Sequence, residues 1–108
     1  MKNLSVIIPT FNRADILPQI MRPLLEDREH ILEIIIADDG STDRTVEIAG
    51  ALGARVLPLQ RNQNANLCRN QGARAATGDI LLFLDSDVVL TPASLPYLQS
   101  CFKNPAVD

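Results

Sequence analysis

Two acids one residue apart, in Asp85-Ser86-Asp87, follow directly on the apolar run Ile80 to Leu84. In extended backbone alternate side chains share a side, so both carboxylates converge while the strand geometry lasts. Converged carboxylates repel each other and call for a cation. Oxygen-only ligands favour Mg²⁺ or Mn²⁺, usually shared with substrate phosphates. The plain alternative is an Asp that closes a turn or caps the next helix, since a lone D-x-D is short and common. A second acidic pair, Asp38-Asp39, closes the run Glu33 to Ala37 and precedes Gly40-Ser41. A turn and helix cap would explain one acid there, near the positive end of a helix dipole. Two adjacent acids exceed that need, and a carboxylate at this place can accept a hydrogen bond from a nucleobase N–H. Pro9-Thr10-Phe11-Asn12 leaves a third apolar run. It is either a turn into a helix or a loop whose backbone and hydroxyl groups touch a base and ribose. Arg69 could meet a phosphate, or share a solvated helix face with Arg74. His30 is given no role.

Alternating elements must position these side chains. Leu4 to Ile8 is short, apolar and β-branched, and Pro9 stops it. Asp15 to about Glu26 carries Leu17, Ile20, Met21, Leu24 and Leu25 at helical spacing. Pro18 falls in its first turn, while Pro23 should kink or shorten it. Glu33 to Ala37 is a second strand. Ser41, Thr42 and Asp43 are N-cap candidates for a helix through Val46, Ile48, Ala49 and Leu52, which Gly50 and Gly53 should end. Arg55 to Leu59 is a third strand. Asn64 to Thr77 is a helix whose Cys68, Gly72, Ala75 and Ala76 form a small-residue stripe for close packing on a sheet. Ile80 to Leu84 is the fourth and most apolar strand. Thr91-Pro92 opens a last helix to about Phe102.

Strands apolar on both faces, alternating with helices, predict a Rossmann-like parallel sheet with helices on both faces. Right-handed crossovers leave the order 3-2-1-4. The winding direction then reverses beside strand 1, and ligands bind at the carboxyl ends of the strands at such a switch point. Pro9-Thr10, Asp38-Asp39 and Asp85-Ser86-Asp87 all fall there.

Composition narrows the chemistry. The 108 residues carry 46% hydrophobic and 21% charged residues, so one globular domain or a piece of one is expected. Net charge is −3, which speaks against broad nucleic-acid binding. Apolar runs are strand-length, far short of the ~20 residues of a spanning helix. No signal-peptide pattern is visible, because Pro9, Asn12 and Arg13 interrupt the N-terminal run. Cys68 and Cys101 lack CxxC spacing, and with one His neither a zinc site nor a disulfide framework follows. Reduced thiols fit the cytoplasm, with peripheral attachment at the inner face of a membrane as a variant. No G-x-G-x-x-G or Walker A loop occurs, since neither Lys2 nor Lys103 follows a glycine. The serines lack a G-x-S-x-G context.

Taken together, these residues resemble a family 2 glycosyltransferase of the GT-A fold. Ser5 to Arg13 is similar to the family's opening strand and loop. Glu33 to Thr45, EIIIADDGSTDRT, is similar to its second strand and acidic turn. Arg69-Asn70-Gln71-Gly72 with Ala75 to Asp79 is like its R-N-x-G…A-x-G-D segment. Ile80 to Thr91-Pro92 resembles the strand bearing its metal motif. The resemblance covers nearly the whole chain. It implies a nucleotide-sugar donor, often a UDP-sugar, an unknown acceptor, and Mg²⁺ or Mn²⁺. Pro9, Thr10, Asp38 and Asp39 correspond to positions that hold base and ribose, with Arg69 carried over beside them. Asp87 corresponds to the direct metal ligand, and Asp85 acts on the ribose or through water.

The resemblance also implies a second half with an acceptor site and a catalytic base. Residues 1–108 are therefore expected to form a single nucleotide-sugar-binding half, incomplete at the C-terminus. No candidate base follows Asp87 except Asp108. An open sheet edge would favour self-association. The main rival is a non-catalytic nucleotide-binding or interaction domain of the same fold. A haloacid-dehalogenase-type phosphatase would use Asp85 as nucleophile and Asp87 as acid/base, but it has its motif on the first strand and needs a later Lys and acidic pair. A receiver-like module also needs a late Lys, and the Ser41-Thr42-Asp43 cap is foreign to it.

Overall fold

The computed structural model describes residues 4–26, 29, 31–59 and 64–84. Strands and helices alternate: β1 Leu4–Thr10, α1 Leu17–Glu26, β2 Ile31–Asp38, α2 Thr45–Ala51, β3 Arg55–Pro58, α3 Ala65–Ala75 and β4 Ile80–Phe83. The strands form one parallel sheet in the order β3-β2-β1-β4, as the alternation predicts. The expected helix from Thr91 and the pair Asp85 and Asp87 lie outside the described residues.

The central strands β1 and β2 are buried on both faces. Val6 and Ile8 pair in register with Ile34 and Ile36. This face packs on Leu17, Ile20, Met21 and Leu24 of α1 and Ala49 of α2. Each of the Val, Ile, Leu and Met side chains gains about 1.5–3 kcal/mol on full burial. Ile7 and its partner Ile35 point the other way, as strand alternation requires, toward the face that α3 covers. Gly72 lets α3 approach closely: a Cβ there would stand 2.5 Å from Ile7 Cγ2. Of the small-residue stripe, Cys68 and Gly72 are buried and Ala75 is half-buried, while Ala76 lies past the end of α3, which stops at Ala75 rather than Thr77.

Element ends differ from the sequence reading for local reasons. α1 starts at Leu17 rather than Asp15, because the Arg13 carbonyl accepts from the Ile16 and Leu17 N–H groups in a preceding turn. Pro23 neither ends nor shortens α1, which runs on to Glu26. α2 starts at Thr45: Ser41 and Thr42 bond Asp38 and Asn12, and of the three N-cap candidates Asp43 alone accepts from the Thr45 N–H. Gly50 lies inside α2, and Gly53, at φ 93°, follows its end. In α3 the Asn64 side chain accepts from the Leu67 N–H at 3.0 Å, a standard N-cap. Beyond Phe83, the Leu84 N–H still bonds the Ile7 carbonyl at 3.0 Å.

At the amino edge of the sheet Glu33 gathers donors. Its carboxylate accepts from the Ser5 hydroxyl at 2.7 Å, the Thr77 N–H at 2.6 Å, the Thr77 hydroxyl at 3.0 Å and Arg55 at 3.4 Å. Ser5 in turn accepts from the Gly78 N–H at 2.9 Å. The turn between α3 and β4 is thereby tied to β1 and β2. Burial works against the Glu33 charge, but the Thr77 N–H, Ser5, the Thr77 hydroxyl and Arg55 outweigh it and hold its pKa below the usual value.

Candidate nucleotide-binding edge

Parallel register sets Thr10 opposite Asp38 at the carboxyl ends of β1 and β2. The Thr10 hydroxyl donates to Asp38 Oδ1 at 2.9 Å. Ser41 donates its hydroxyl to the same oxygen at 2.5 Å and its N–H to Oδ2 at 2.8 Å. The Asp38 carbonyl accepts from the Leu59 N–H at 2.8 Å. Asp38 is 1% exposed. A carboxylate this deep is tolerable because both of its oxygens are engaged. Pro9 and Thr10 are also buried, so Asp38 and the Thr10 hydroxyl form the floor of the edge.

Asp39 differs from its neighbour. Its N–H donates to the Thr10 carbonyl at 2.9 Å, which extends the ladder by one bond. Asp39 is half-buried, where Asp38 is fully buried. Gly40 follows at φ 80°, a conformation that favours glycine, and turns the chain back over the edge. Phe11, next to Thr10, is 44% exposed. A half-buried acid and an exposed aromatic residue therefore adjoin, in sequence, a buried, hydrogen-bonded floor.

The loops after β1 and β2 are stitched side chain to backbone. The consecutive N–H groups of Asn12, Arg13 and Ala14 donate to Ser41 Oγ at 2.8 Å, Thr45 Oγ1 at 2.8 Å and Asp43 Oδ2 at 3.2 Å. Asn12 Oδ1 accepts in return from the N–H groups of Thr42 at 2.8 Å and Asp43 at 3.3 Å. Asp43 Oδ1 also accepts from the Thr45 N–H at 2.9 Å and from the Thr45 hydroxyl. That hydroxyl, against burial and with backbone N–H donors adding, keeps the Asp43 carboxyl below its usual pKa.

On α3, Cys68 is buried and Arg69 half-buried. Burial pushes the Cys68 thiol up, the charges of Asp39 and Asp38 push it further, and Arg69 opposes them. Arg69 donates to Asn66 Oδ1 at 3.0 Å. A separate groove of about 440 Å³, lined by Pro18, Gln19, Arg22, Leu25, Glu26 and Leu52, shares no residue with this edge.

Of the residues singled out from sequence, Pro9, Thr10, Asp38 and Asp39 are thus brought together, and Arg69 lies on the neighbouring helix. Asp85 and Asp87 are outside the described residues. Among the described residues no group of three His, Cys, Asp or Glu side chains could hold a metal ion. None of the described helices is long and apolar enough to cross a membrane. The sequence reading passed over Asn12, Ser41, Asp43 and Thr45 as joint organisers of the edge. The signal that could have found them is the density of Asn, Asp, Ser and Thr on both loops, since these side chains bond nearby backbone groups.

This parallel sheet and its helices have the fold of GT-A glycosyltransferase domains. The chain belongs to glycosyl transferase family 2, whose model matches residues 5–108. It is 36% identical over 107 residues to an uncharacterized glycosyltransferase of Haemophilus influenzae, covering 97% of this chain and 36% of that protein. The crystal structure of S. aureus TarS 1-349 in complex with UDP aligns with a TM-score of 0.81 at 28% identity, covering 95% of this chain and 32% of that one. Glucosyl-3-phosphoglycerate synthase from Mycobacterium tuberculosis, in complex with Mn²⁺, UDP-glucose and phosphoglyceric acid, aligns with a TM-score of 0.81 at 26% identity. There the alignment covers 94% of this chain and 39% of the synthase. The chain spans about a third of the length of these relatives.

Proposed function

We propose that the chain is the nucleotide-sugar-binding part of a glycosyltransferase that transfers a sugar from a UDP-sugar to an acceptor. The observation that carries the reading is the edge itself: Thr10 and the buried Asp38 join the tips of β1 and β2, and the adjacent Asp39 is partly exposed there. Asp39 would accept the imide N–H of the base. Pro9 and Thr10 would form the floor beneath base and ribose, with Asp38 holding Thr10 and Ser41 in place. Phe11 offers a ring face for stacking, a contact that suits any base. Arg69 would meet the phosphates. UDP and UDP-glucose complexes of the structural relatives support a UDP-linked donor.

A divalent cation, Mg²⁺ or Mn²⁺, belongs to the same reading. The donor set fits only in part within the described residues, because both Asp38 oxygens are already engaged. Asp87 would hold the ion directly, and Asp85 would act on the ribose or through water. Both follow in sequence on Leu84, whose N–H bonds the carbonyl of Ile7 in the strand that ends at Thr10. The bound ion would supply Lewis-acid stabilisation of the departing nucleoside diphosphate. The Mn²⁺ complex of the mycobacterial synthase supports the choice of ion. The cytoplasm is the compartment that suits an unpaired thiol such as Cys68.

Calorimetric titration of the full-length protein with UDP, with and without MnCl₂, tests this reading. Wild type should bind UDP more tightly with the metal, and Asp87→Ala should lose that gain. Equal, metal-independent affinity in both proteins would remove the metal–diphosphate site. Binding without any hydrolysis or transfer of UDP-sugars would point to a non-catalytic nucleotide-binding domain instead.

A further inference from the structure

Among the described residues Asn12 is the one non-glycine residue with positive φ, at 53°. Asparagine enters this left-handed region more readily than most residues, and it does so here at the turn that follows Phe11. The conformation puts Oδ1 on the N–H groups of Thr42 and Asp43 while the Asn12 N–H donates to Ser41 Oγ. Ser41 passes the contact on to Asp38. Asn12 thus grips the second loop from both its backbone and its side chain. Between the grip and the Thr10–Asp39 ladder bond lie the segments that carry Phe11 and Asp39.

We propose that Asn12 is a positioning residue for the nucleotide: by clamping the Thr42 and Asp43 N–H groups it holds Phe11 and Asp39 at the spacing a base requires. The inference rests on the nucleotide-binding reading above. Asn12 itself need not touch the ligand. Its effect is to remove in advance the ordering that two loops would otherwise undergo on binding.

The substitutions separate backbone conformation from the acceptor. Asn12→Gly adopts positive φ freely but has no Oδ1. Asn12→Asp keeps both an acceptor and tolerance of that region. In the full-length protein with MnCl₂, N12G should weaken UDP binding about tenfold, the scale of one lost organising contact. Its urea midpoint should stay close to that of wild type, and amide exchange in residues 39–45 should quicken. N12D should remain within about threefold of wild type. N12G binding UDP like wild type, or N12D weakened as much as N12G, overturns the inference and leaves the donor site standing. Failure of N12G to fold also overturns it, marking Asn12 as a residue of stability alone. Absence of UDP binding by wild type overturns the donor reading, and the inference with it.

Discussion

Thr10 and Asp38 end adjacent parallel strands as direct register partners, and the threonine hydroxyl donates to the buried carboxylate at 2.9 Å. This bond fastens the tips of the two strands from which the candidate site is built. It also makes Asp38 a test of how floor and ligand contact divide between neighbouring acids.

Asp38→Ala leaves the Thr10 hydroxyl and both Ser41 donors facing an empty, buried position. Each stranded donor costs about 1–3 kcal/mol, so a loss of roughly 3–5 kcal/mol is expected by urea denaturation. Asp38→Asn keeps one oxygen but sets an amide N–H₂ against the Ser41 N–H or a hydroxyl, and should lose about 1–3 kcal/mol. Full stability of Asp38→Asn with lost UDP affinity would instead assign Asp38 to the ligand.

Asp39→Asn should behave in the opposite way. Loss of a charge-assisted hydrogen bond to the base costs about 1.5–3 kcal/mol, or roughly ten- to a hundredfold in UDP affinity. The amide can flip and present its oxygen, which favours the lower end. Its melting temperature should fall less than that of Asp38→Asn, because the ladder bond from the Asp39 N–H to the Thr10 carbonyl survives the substitution. Calorimetry and thermal melts on the same sample check both halves; unchanged affinity would reduce Asp39 to a turn residue.

Two helical glycines should respond with opposite sign to alanine. At Gly50 nothing lies within 4 Å of the place an added methyl would occupy, so Gly50→Ala should stabilise by about 0.5–1 kcal/mol through helix propensity. Gly72 gains the same propensity, yet its new methyl would stand 2.5 Å from Ile7 Cγ2, on a stiff, buried β-branched side chain. Overpacking of that kind costs about 1–3 kcal/mol, which exceeds the gain. Urea midpoints of the two variants should fall on either side of wild type.

Acid should loosen the amino edge of the sheet. Glu33 has a folded pKa below its unfolded value, because Thr77, Ser5 and Arg55 outweigh the effect of burial. Its ionised form therefore favours the fold: that contribution is complete above the unfolded pKa and is lost as pH falls through the lowered folded one. Asp43, lowered chiefly by the Thr45 hydroxyl, acts in the same sense at the other edge. Glu33→Gln should be less stable than wild type at pH 7, and the gap should close in acid. Melting curves between pH 7 and pH 2 measure it; a gap that stays constant would show that the charge of Glu33 has no part.

The strand order was legible because alternation and handedness leave few parallel arrangements, and β1 and β2 read as buried on both faces from their Val and Ile content. That order put Thr10 and Asp38 at one edge, but not their pairing in register, because β1 runs on through Pro9 to Thr10 and β2 to Asp38. The division of labour between Asp38 and Asp39 did not, because it depends on which carboxylate turns inward to Ser41 and Thr10. Helix α2 was started too early for a related reason: Ser41 and Thr42 satisfy partners across the loop rather than their own helix. Glu33 looked like an ordinary polar residue at the start of a strand. Its donors Ser5 and Thr77 lie far away in sequence, and no local pattern names them.

The central position of β1 has a consequence for synthesis. Its partner on one side, β2, follows soon after it, but its partner on the other side pairs Leu4 with Ile80 and Ile7 with Phe83. A chain emerging from the ribosome amino end first must therefore carry β1 with one open flank while β2, α2, β3 and α3 are made. Pairings this distant in sequence form late and leave strand edges exposed to wrong partners meanwhile. Of the four described strands, the one that carries Thr10 at its tip is made before the other three and is among the last to be enclosed.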